Sequence, residues 1–367
     1  MPRPSRSFKS DLRHPSLDYR PPGWYRALRA IALALAGLAI AGALYVGFWF
    51  YMAGQLRDGI AAWAEARRAE GLAVSYDKLD IGGFPLVLDV RLDKPRIADR
   101  EWAWETDALS AWVLPWNLNE IMVHASNRHR IVRTIGGRAL AYGLRPDKAE
   151  ARLTLDGGHL VSADIALQGA TLNGPGEAET WTLDRLSLTA SMPPGDPAPE
   201  APSARTKLRL SGLRVPARVR LPLGPVIGDL EIDADVMGPI PAGPLVETLS
   251  AWRDAGGTVE MPRVIARYGP LGLQADGTLA LDQDLQPIGA FTARVEGFFE
   301  TVDALRERGL IRSADAATAK LVLGVLARPG ADGRPGISLP LTIQDRRLHA
   351  GPVALMEIPP IIWPGGR

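Results

Sequence analysis

Apolar residues occur at every second position in many short stretches of this chain, and this alternation constrains the fold more than any other feature. In 86–92, Leu86, Leu88, Val90 and Leu92 are separated by valine or charged residues. The same spacing recurs at 152–156, 161–168, 186–188, 208–210, 230–236, 279–281 and 291–295. Such strands have one apolar and one polar face, as strands of antiparallel sheets do. The sequence therefore predicts a mainly β fold, with a large antiparallel β-sheet region that forms a curved sheet, groove or sandwich.

The residues before this β region predict a transmembrane helix. Residues 30–54 carry no charge, and a helix of this length reaches roughly 37 Å, more than the ~30 Å hydrocarbon core of a bilayer. Trp24 and Tyr25 precede the segment and further aromatic residues end it, as in interfacial belts. A cleaved signal peptide and a buried core helix are the alternatives. The length of the run and its bulky aromatic end favour an uncleaved signal anchor.

The charges around this segment predict its orientation. Residues 1–29 hold seven basic and two acidic residues, so the positive-inside rule predicts a basic cytoplasmic tail at 1–29 and an exported remainder. In a bacterium the chain would cross the inner membrane once and expose its bulk to the periplasm. Residues 55–72 predict an amphipathic connector helix. The exported part has more acidic than basic residues, which argues against nucleic-acid binding.

Proline and glycine divide the exported region. The stretch Gly82-Gly83-Phe84-Pro85 interrupts the alternation between two predicted strands, and it predicts a structural corner. Five prolines between 193 and 202 predict a linker or long hairpin loop at 191–206. This segment separates a first β-rich half, 73–190, from a second, 207–363. A few short α-helices are predicted in the second half, at 244–255, 302–308 and 315–327.

Residues that usually carry chemistry are sparse. The chain has no cysteine, which excludes disulfides, thiolate metal sites and cysteine nucleophiles. It contains no HExxH, phosphate-binding loop, dinucleotide-binding glycine motif or GxSxG elbow. His124 and His129 are five positions apart, which puts them on opposite faces of a strand. The sequence therefore predicts no catalytic residue, no cofactor and no metal site, and a protein that is not an enzyme.

Four tryptophans lie close together between 102 and 116. Trp102 and Trp104 share one face of a predicted strand. Packing in a core explains these side chains, and an apolar surface that binds a ligand is the alternative. The residues assigned to this candidate ligand surface are Trp102, Trp104 and Leu88; Ile165, on another apolar strand face, is left unassigned.

Four segments together resemble a known bacterial family. They are the N-terminal anchor, GGFPLVLDVRLDKPRI at 82–97, LPWNLNEIMVHA at 114–125 and LHAGPVALMEIPPIIW at 348–363. In combination they resemble the family called domain of unknown function 2125, over about residues 55–363. This resemblance implies kinship, but no activity and no functional residues. More distantly, 275–297 and 309–327 are similar to the C-terminal parts of AsmA-like envelope proteins, which are anchored in the inner membrane and associated with lipid movement.

Two functions remain open. About a dozen predicted strands each have an apolar face, and only a few short helices are available to cover them. If the sheet curls into a groove beside the membrane, it would bind or transfer phospholipid or another acyl lipid in envelope homeostasis. If sheet faces pack on each other, the protein would be a non-enzymatic envelope scaffold that binds a protein partner through its polar face or an edge strand.

Overall fold

A computed structural model describes residues 23–175, 180–193, 201–216, 218–241, 243–329 and 335–363. The helices in these ranges are α1 (Gly23–Ala69), α2 (Leu245–Asp254), α3 (Phe298–Glu307) and α4 (Ser313–Leu326). The strands are β1 (Ala73–Ser75), β2 (Lys78–Gly82), β3 (Leu88–Asp93), β4 (Arg96–Ala98), β5 (Trp102–Thr106), β6 (Ala108–Leu114), β7 (Asn117–Ala125), β8 (His129–Ile135), β9 (Arg138–Arg145), β10 (Lys148–Asp156), β11 (His159–Asn173), β12 (Thr180–Ser191), β13 (Pro202–Arg214), β14 (Val226–Met237), β15 (Thr258–Tyr268), β16 (Leu271–Leu281), β17 (Pro287–Glu296), β18 (Arg328–Pro329), β19 (Pro335–Gln344), β20 (Arg347–Ala350) and β21 (Val353–Glu357). The predicted mainly β fold, with a large antiparallel sheet and an N-terminal apolar helix, is confirmed.

The strands form a single antiparallel meander. From β11 to β16, each strand pairs with the strands that precede and follow it in the chain. Strand β17 pairs with β16 and, beyond α3, α4 and β18, with β19. The first ten strands are the halves of five longer strands: β1 with β2, β3 with β4, β5 with β6, β7 with β8, and β9 with β10. Each of these long strands also pairs with the long strands before and after it in the chain. Thus β2 pairs with β3 while β1 pairs with β4. The same holds for the next three pairs of long strands.

The five long strands are interrupted at the same height, and the pairing of β12 with β13 is interrupted at the next point across the sheet. We call the resulting line the corner line (residues 76–79, 92–95, 106–109, 126–129, 146–149 and 183–186). Burial departs from alternation there. Asp147 and Lys148 are both exposed, between the buried Pro146 and Ala149. Segments 76–79 and 183–186 likewise have two exposed residues between half-buried ones. Because two successive side chains point outward, the strand bends while its apolar side stays on the same side of the sheet.

Two glycines complete the corner line on the returning strands. Gly169 in β11 and Gly212 in β13 have φ angles of 56° and 66°, in the left-handed region that favours glycine. A Cβ atom on Gly169 would overlap the carboxylate of Asp147, and one on Gly212 would overlap that of Asp184. Glycine is therefore needed at both positions for two reasons: it adopts the left-handed backbone conformation without strain, and it leaves room for the neighbouring aspartate side chain.

The inner side of the corner line is buried. Pro95, Thr106, Pro146 and Ala170 are all shielded from solvent. Pro95 and Thr106 lie on one pair of adjacent long strands, and Pro146 and Ala170 on another. The Thr106 amide donates to the Pro95 carbonyl at 3.2 Å. The two parts of the sheet therefore meet in a packed seam along the line.

The Gly-Gly-Phe-Pro stretch connects β2 to β3, as predicted. Gly83 has φ 90°, and a Cβ atom there would lie 2.6 Å from Cγ2 of Val87. The Val87 amide donates to the Gly83 carbonyl at 3.1 Å, which closes the turn. Glycine thus allows the chain to fold back tightly enough for β2 and β3 to pair.

Helix α1 is continuous from Gly23 to Ala69, so the predicted anchor at 30–54 and most of the predicted connector helix at 55–72 belong to one helix. It contains an apolar window of mean hydropathy 2.2, long enough to cross a membrane by length and composition. Most of the predicted tail at 1–29 lies outside the described residues. The three short helices predicted in the C-terminal half correspond to α2, α3 and α4.

The sheet continues across the proline-rich segment. Strands β12 and β13 flank this segment and pair with each other over most of their length. Residues 194–200 of the predicted linker at 191–206 lie outside the described residues. Residues Ala53–Arg367 form one compact unit and Met1–Met52 form another, so the predicted regions 73–190 and 207–363 belong to the same unit.

Candidate apolar binding face

Two unbroken rows of apolar residues cross the sheet from β2 to β19. Residues directly opposite each other in a register point to the same face, so a row can be followed from strand to strand. Row A consists of Ile81, Val90, Ala111, Val123, Ala151, Ile165, Leu188, Leu208, Ile232, Val264, Ala275, Ala293 and Leu339. Row B consists of Leu79, Leu92, Leu109, Ala125, Ala149, Leu167, Leu186, Leu210, Leu230, Ala266, Leu273, Val295 and Ile337. With strands ~4.8 Å apart, each row is about 58 Å long.

Row A is buried near its ends and open in the middle. Val90 is 6% exposed and Ala293 is 0% exposed, whereas Ile165 is 37% exposed. The row A residues of the next three strands are half-buried. Scattered exposed apolar residues are ordinary, but a contiguous apolar surface marks a binding site. We call the part of the two rows on β11–β14 the open apolar face; its residues are Ile165, Leu188, Leu208 and Ile232 from row A and Leu167, Leu186, Leu210 and Leu230 from row B.

The opposite face of the same strands is charged. Arg209 in β13 lies 3.3 Å from Glu231 and 2.8 Å from Asp233. Its hydrogen bond to Asp233 raises the pKa of Arg209. Arg263 approaches Glu231 at 3.3 Å. Such partly exposed pairs stabilise a fold by only about 0–1 kcal/mol each. They nevertheless make this face of the sheet polar, whereas the open apolar face on the other side of the same strands carries no charge.

A buried histidine packs beside the corner line. His129 in β8 is 8% exposed and stacks on Trp104, with ring centroids 6.0 Å apart and planes inclined by 21°. Burial lowers the pKa of His129, against a smaller opposing effect of its hydrogen bond to the backbone of Ser126. Thr106, opposite His129 in the register, donates its hydroxyl to the Arg128 carbonyl at 2.6 Å. These contacts give His129 and Trp104 a structural role.

The concavity beside this cluster is lined by paired charges. It has a volume of about 600 Å³ and lies among β4, β5, β8 and β9. Lys94 pairs with Asp77 at 2.9 Å, and Arg130 with Glu105 at 3.4 Å. Alternating exposed charges of this kind are typical of a solvated surface. Within the described ranges, no group of three or more His, Cys, Asp or Glu side chains is placed to hold a metal ion.

The structure separates the residues assigned to the candidate ligand surface. Trp102 and Trp104 share a face of β5, where both are half-buried. Leu88 is completely buried in β3, which pairs with β2 and β6 and not with β5. Ile165, the unassigned residue, lies on β11, at one margin of the open apolar face. Sequence alternation missed this difference because it shows which residues share a strand face, but not which strands lie side by side.

The described chain thus combines an N-terminal helix that is long and apolar enough to cross a membrane with one large antiparallel β-sheet. The sequence pattern of the family described as uncharacterized protein conserved in bacteria, DUF2125, matches residues 49–359. The chain belongs to this family, as its four motif segments predicted. No curated protein and no solved structure matches the chain significantly. The likeness to AsmA-like envelope proteins stays a prediction.

Proposed function

We propose that this protein binds the acyl chains of a lipid on its open apolar face. In this proposal α1 anchors the chain in the bacterial inner membrane, with the N-terminus in the cytoplasm and the sheet in the periplasm. The observation that carries the proposal is the 37% exposure of Ile165 within an unbroken apolar row. The function is non-enzymatic: the protein holds or passes on a lipid for the upkeep of the envelope.

The apolar rows supply enough binding energy for such a ligand. Burying one methylene group contributes about 0.8 kcal/mol, so ten methylenes contribute about 8 kcal/mol. That free energy corresponds to a dissociation constant of about 1 µM before the cost of ordering the chain is subtracted. An acyl chain lying along row A or row B would contact only Ala, Val, Ile and Leu side chains, while its polar headgroup stays in water.

Photo-cross-linking in living cells tests the proposal on the full chain. A benzophenone amino acid is placed at Ile165 or Leu208 on the open apolar face, and at Ser187 as the control. Ser187 lies on the charged face, directly opposite Arg209 in the register. We expect adducts of lipid mass at 165 and 208 and none at 187. Equal lipid labelling at all three positions, or none at 165 and 208, refutes lipid binding at this face.

The scaffold function is favoured by a different observation. Strand β21 pairs with β20, and no other strand register within the described ranges includes β21. Leu355 and Met356 in this strand are 54% and 57% exposed. Open edge strands accept a strand from another protein. The same cross-linker at Leu355 would then yield an adduct of protein mass, while positions 165 and 208 would yield no lipid.

A further inference from the structure

The turns along one edge of the sheet carry exposed apolar side chains. In the turn between β2 and β3, Phe84 and Leu86 are 48% and 65% exposed. In and just after the turn between β6 and β7, Trp116 and Leu118 are 62% and 40% exposed. These four residues form what we call the apolar edge. One exposed apolar side chain would be ordinary, but four in two turns form a patch of the kind that marks an interaction site.

The two turns are neighbours, and they stand on a rigid base. Leu88 at the start of β3 is opposite Val113 near the end of β6, so the two turns project side by side from the same end of the sheet. Leu88 is 0% exposed and Val113 is 5% exposed. The exposure of the apolar edge is therefore not a result of loose packing, because the residues directly behind it are buried.

The apolar edge carries no charge. Residues 81–88 and 113–118 contain no acidic or basic side chain. Exposed apolar side chains continue along the same end of the sheet at Leu160 and Met192, which are 39% and 37% exposed. The contrast with the other end is clear in the turn between β4 and β5, which consists of the exposed residues Asp99, Arg100 and Glu101.

We propose that the apolar edge inserts into the interfacial region of a lipid bilayer. Tryptophan, phenylalanine and leucine are the side chains that partition there. The absence of basic residues from both turns points to insertion by apolar contact rather than by attraction to anionic headgroups. The chain itself brings a bilayer within reach, because α1 is long and apolar enough to cross one. The contact does not depend on lipid binding by the open apolar face.

Single-cysteine labelling in proteoliposomes tests this contact. The chain has no cysteine of its own, so Leu86→Cys, Trp116→Cys and the control Arg100→Cys each give one labelled site in the full chain. The label is a fluorophore whose emission shifts to the blue in apolar surroundings, and the quencher is a nitroxide on the acyl chain of phosphatidylcholine. We expect a blue shift and at least twofold quenching at 86 and 116, and water-like emission without quenching at 100.

Three outcomes overturn the proposal. The first is water-like emission at both 86 and 116 in a chain with normal far-ultraviolet circular dichroism. The second is equal quenching at 100, which would mean that the sheet lies flat on the membrane. The third is water-like emission from the apolar edge in protein-free liposomes together with cross-linking of the same edge to a protein in cells. If Trp116→Cys does not fold, Leu118→Cys takes its place. Failure here leaves the expected adducts at 165 and 208 unchanged, so the two proposals are tested separately.

Discussion

Replacing Gly169 with alanine tests whether the corner line depends on left-handed backbone. Gly169 has φ 56°, a conformation that costs a residue with a Cβ atom roughly 1–2 kcal/mol. The new methyl group would also overlap the carboxylate of Asp147. Asp147 is exposed and its carboxylate can move, so this overlap adds less than the backbone term. We expect the free energy of unfolding to fall by about 2–3 kcal/mol.

A second substitution separates the two contributions. In an Asp147→Ala background the overlap with the carboxylate is gone, and the backbone cost and a 3.1 Å contact with the Cβ atom of residue 147 remain. Gly169→Ala should then cost about 1–2 kcal/mol. Gly143→Ala is the matched control, because a Cβ atom on Gly143 meets no other atom within 4 Å and its backbone is not left-handed. That change should leave stability unaltered or raise it by about 0.4–1 kcal/mol.

The assay is urea unfolding of the full chain in detergent, followed by tryptophan fluorescence. The slope of the transition must stay constant for the midpoints to be compared. The reasoning is refuted if Gly169→Ala destabilises the protein no more than Gly143→Ala does. It is also refuted if the cost of Gly169→Ala is larger in the Asp147→Ala background than in the natural chain.

Three further predictions follow from the core and the open apolar face. Leu88→Ala should lower the free energy of unfolding by about 2–5 kcal/mol, because Leu88 is 0% exposed, whereas Leu86→Ala, at 65% exposed, should change it by less than about 0.5 kcal/mol; comparable losses in urea unfolding would contradict this. Burial lowers the pKa of His129 below its ordinary 6.5, so the unfolded chain binds a proton first as the pH falls. The free energy of unfolding should therefore decrease below pH 6.5, and His129→Gln should make that decrease smaller. The check is the urea midpoint of each protein at pH 5.5 and at pH 7.5. An equal difference between the two midpoints in the natural chain and in the variant would count against the prediction. Ile165→Glu should abolish lipid adducts at Leu208 because it brings a charge into row A, while Ser187→Glu beside Arg209 should leave them intact; loss with both variants would point to a general defect.

Alternation was sufficient to predict the strands, but not the corner line. The segment 161–168 is read correctly as one strand with Ile165 and Leu167 on its apolar side, since it lies wholly on one side of the line. At the line the inner residues are three apart, a spacing that breaks the two-residue alternation of a strand and that four residues alone cannot distinguish from a helical spacing. A four-residue sequence pattern nevertheless marks the corner line: an inner residue, then Asp, then Lys or Arg, then a second inner residue. It occurs as Tyr76-Asp77-Lys78-Leu79, Leu92-Asp93-Lys94-Pro95, Pro146-Asp147-Lys148-Ala149 and Leu183-Asp184-Arg185-Leu186.

The candidate site was less predictable than the fold. Leu88 and Ile165 hold equivalent positions in their alternating segments, yet one is completely buried and the other is 37% exposed. The difference arises from what packs over each strand, and that depends on contacts between residues far apart in sequence. Trp104 shows the same limit, because its partner His129 comes from β8, beside β5 in the sheet.

The meander also has a consequence for how the chain acquires its structure. Nearly every strand finds its partner in the next stretch of sequence, so the loops that must close are short and their entropic cost is small. A chain delivered N-terminus first can therefore add hairpins one after another, each on the edge left by the last. At every stage the growing edge is an unpaired strand, open to wrong partners until the next hairpin covers it. The order of synthesis thus matches the order in which the strands neighbour one another in the sheet, and slow synthesis would lengthen the exposure of that edge.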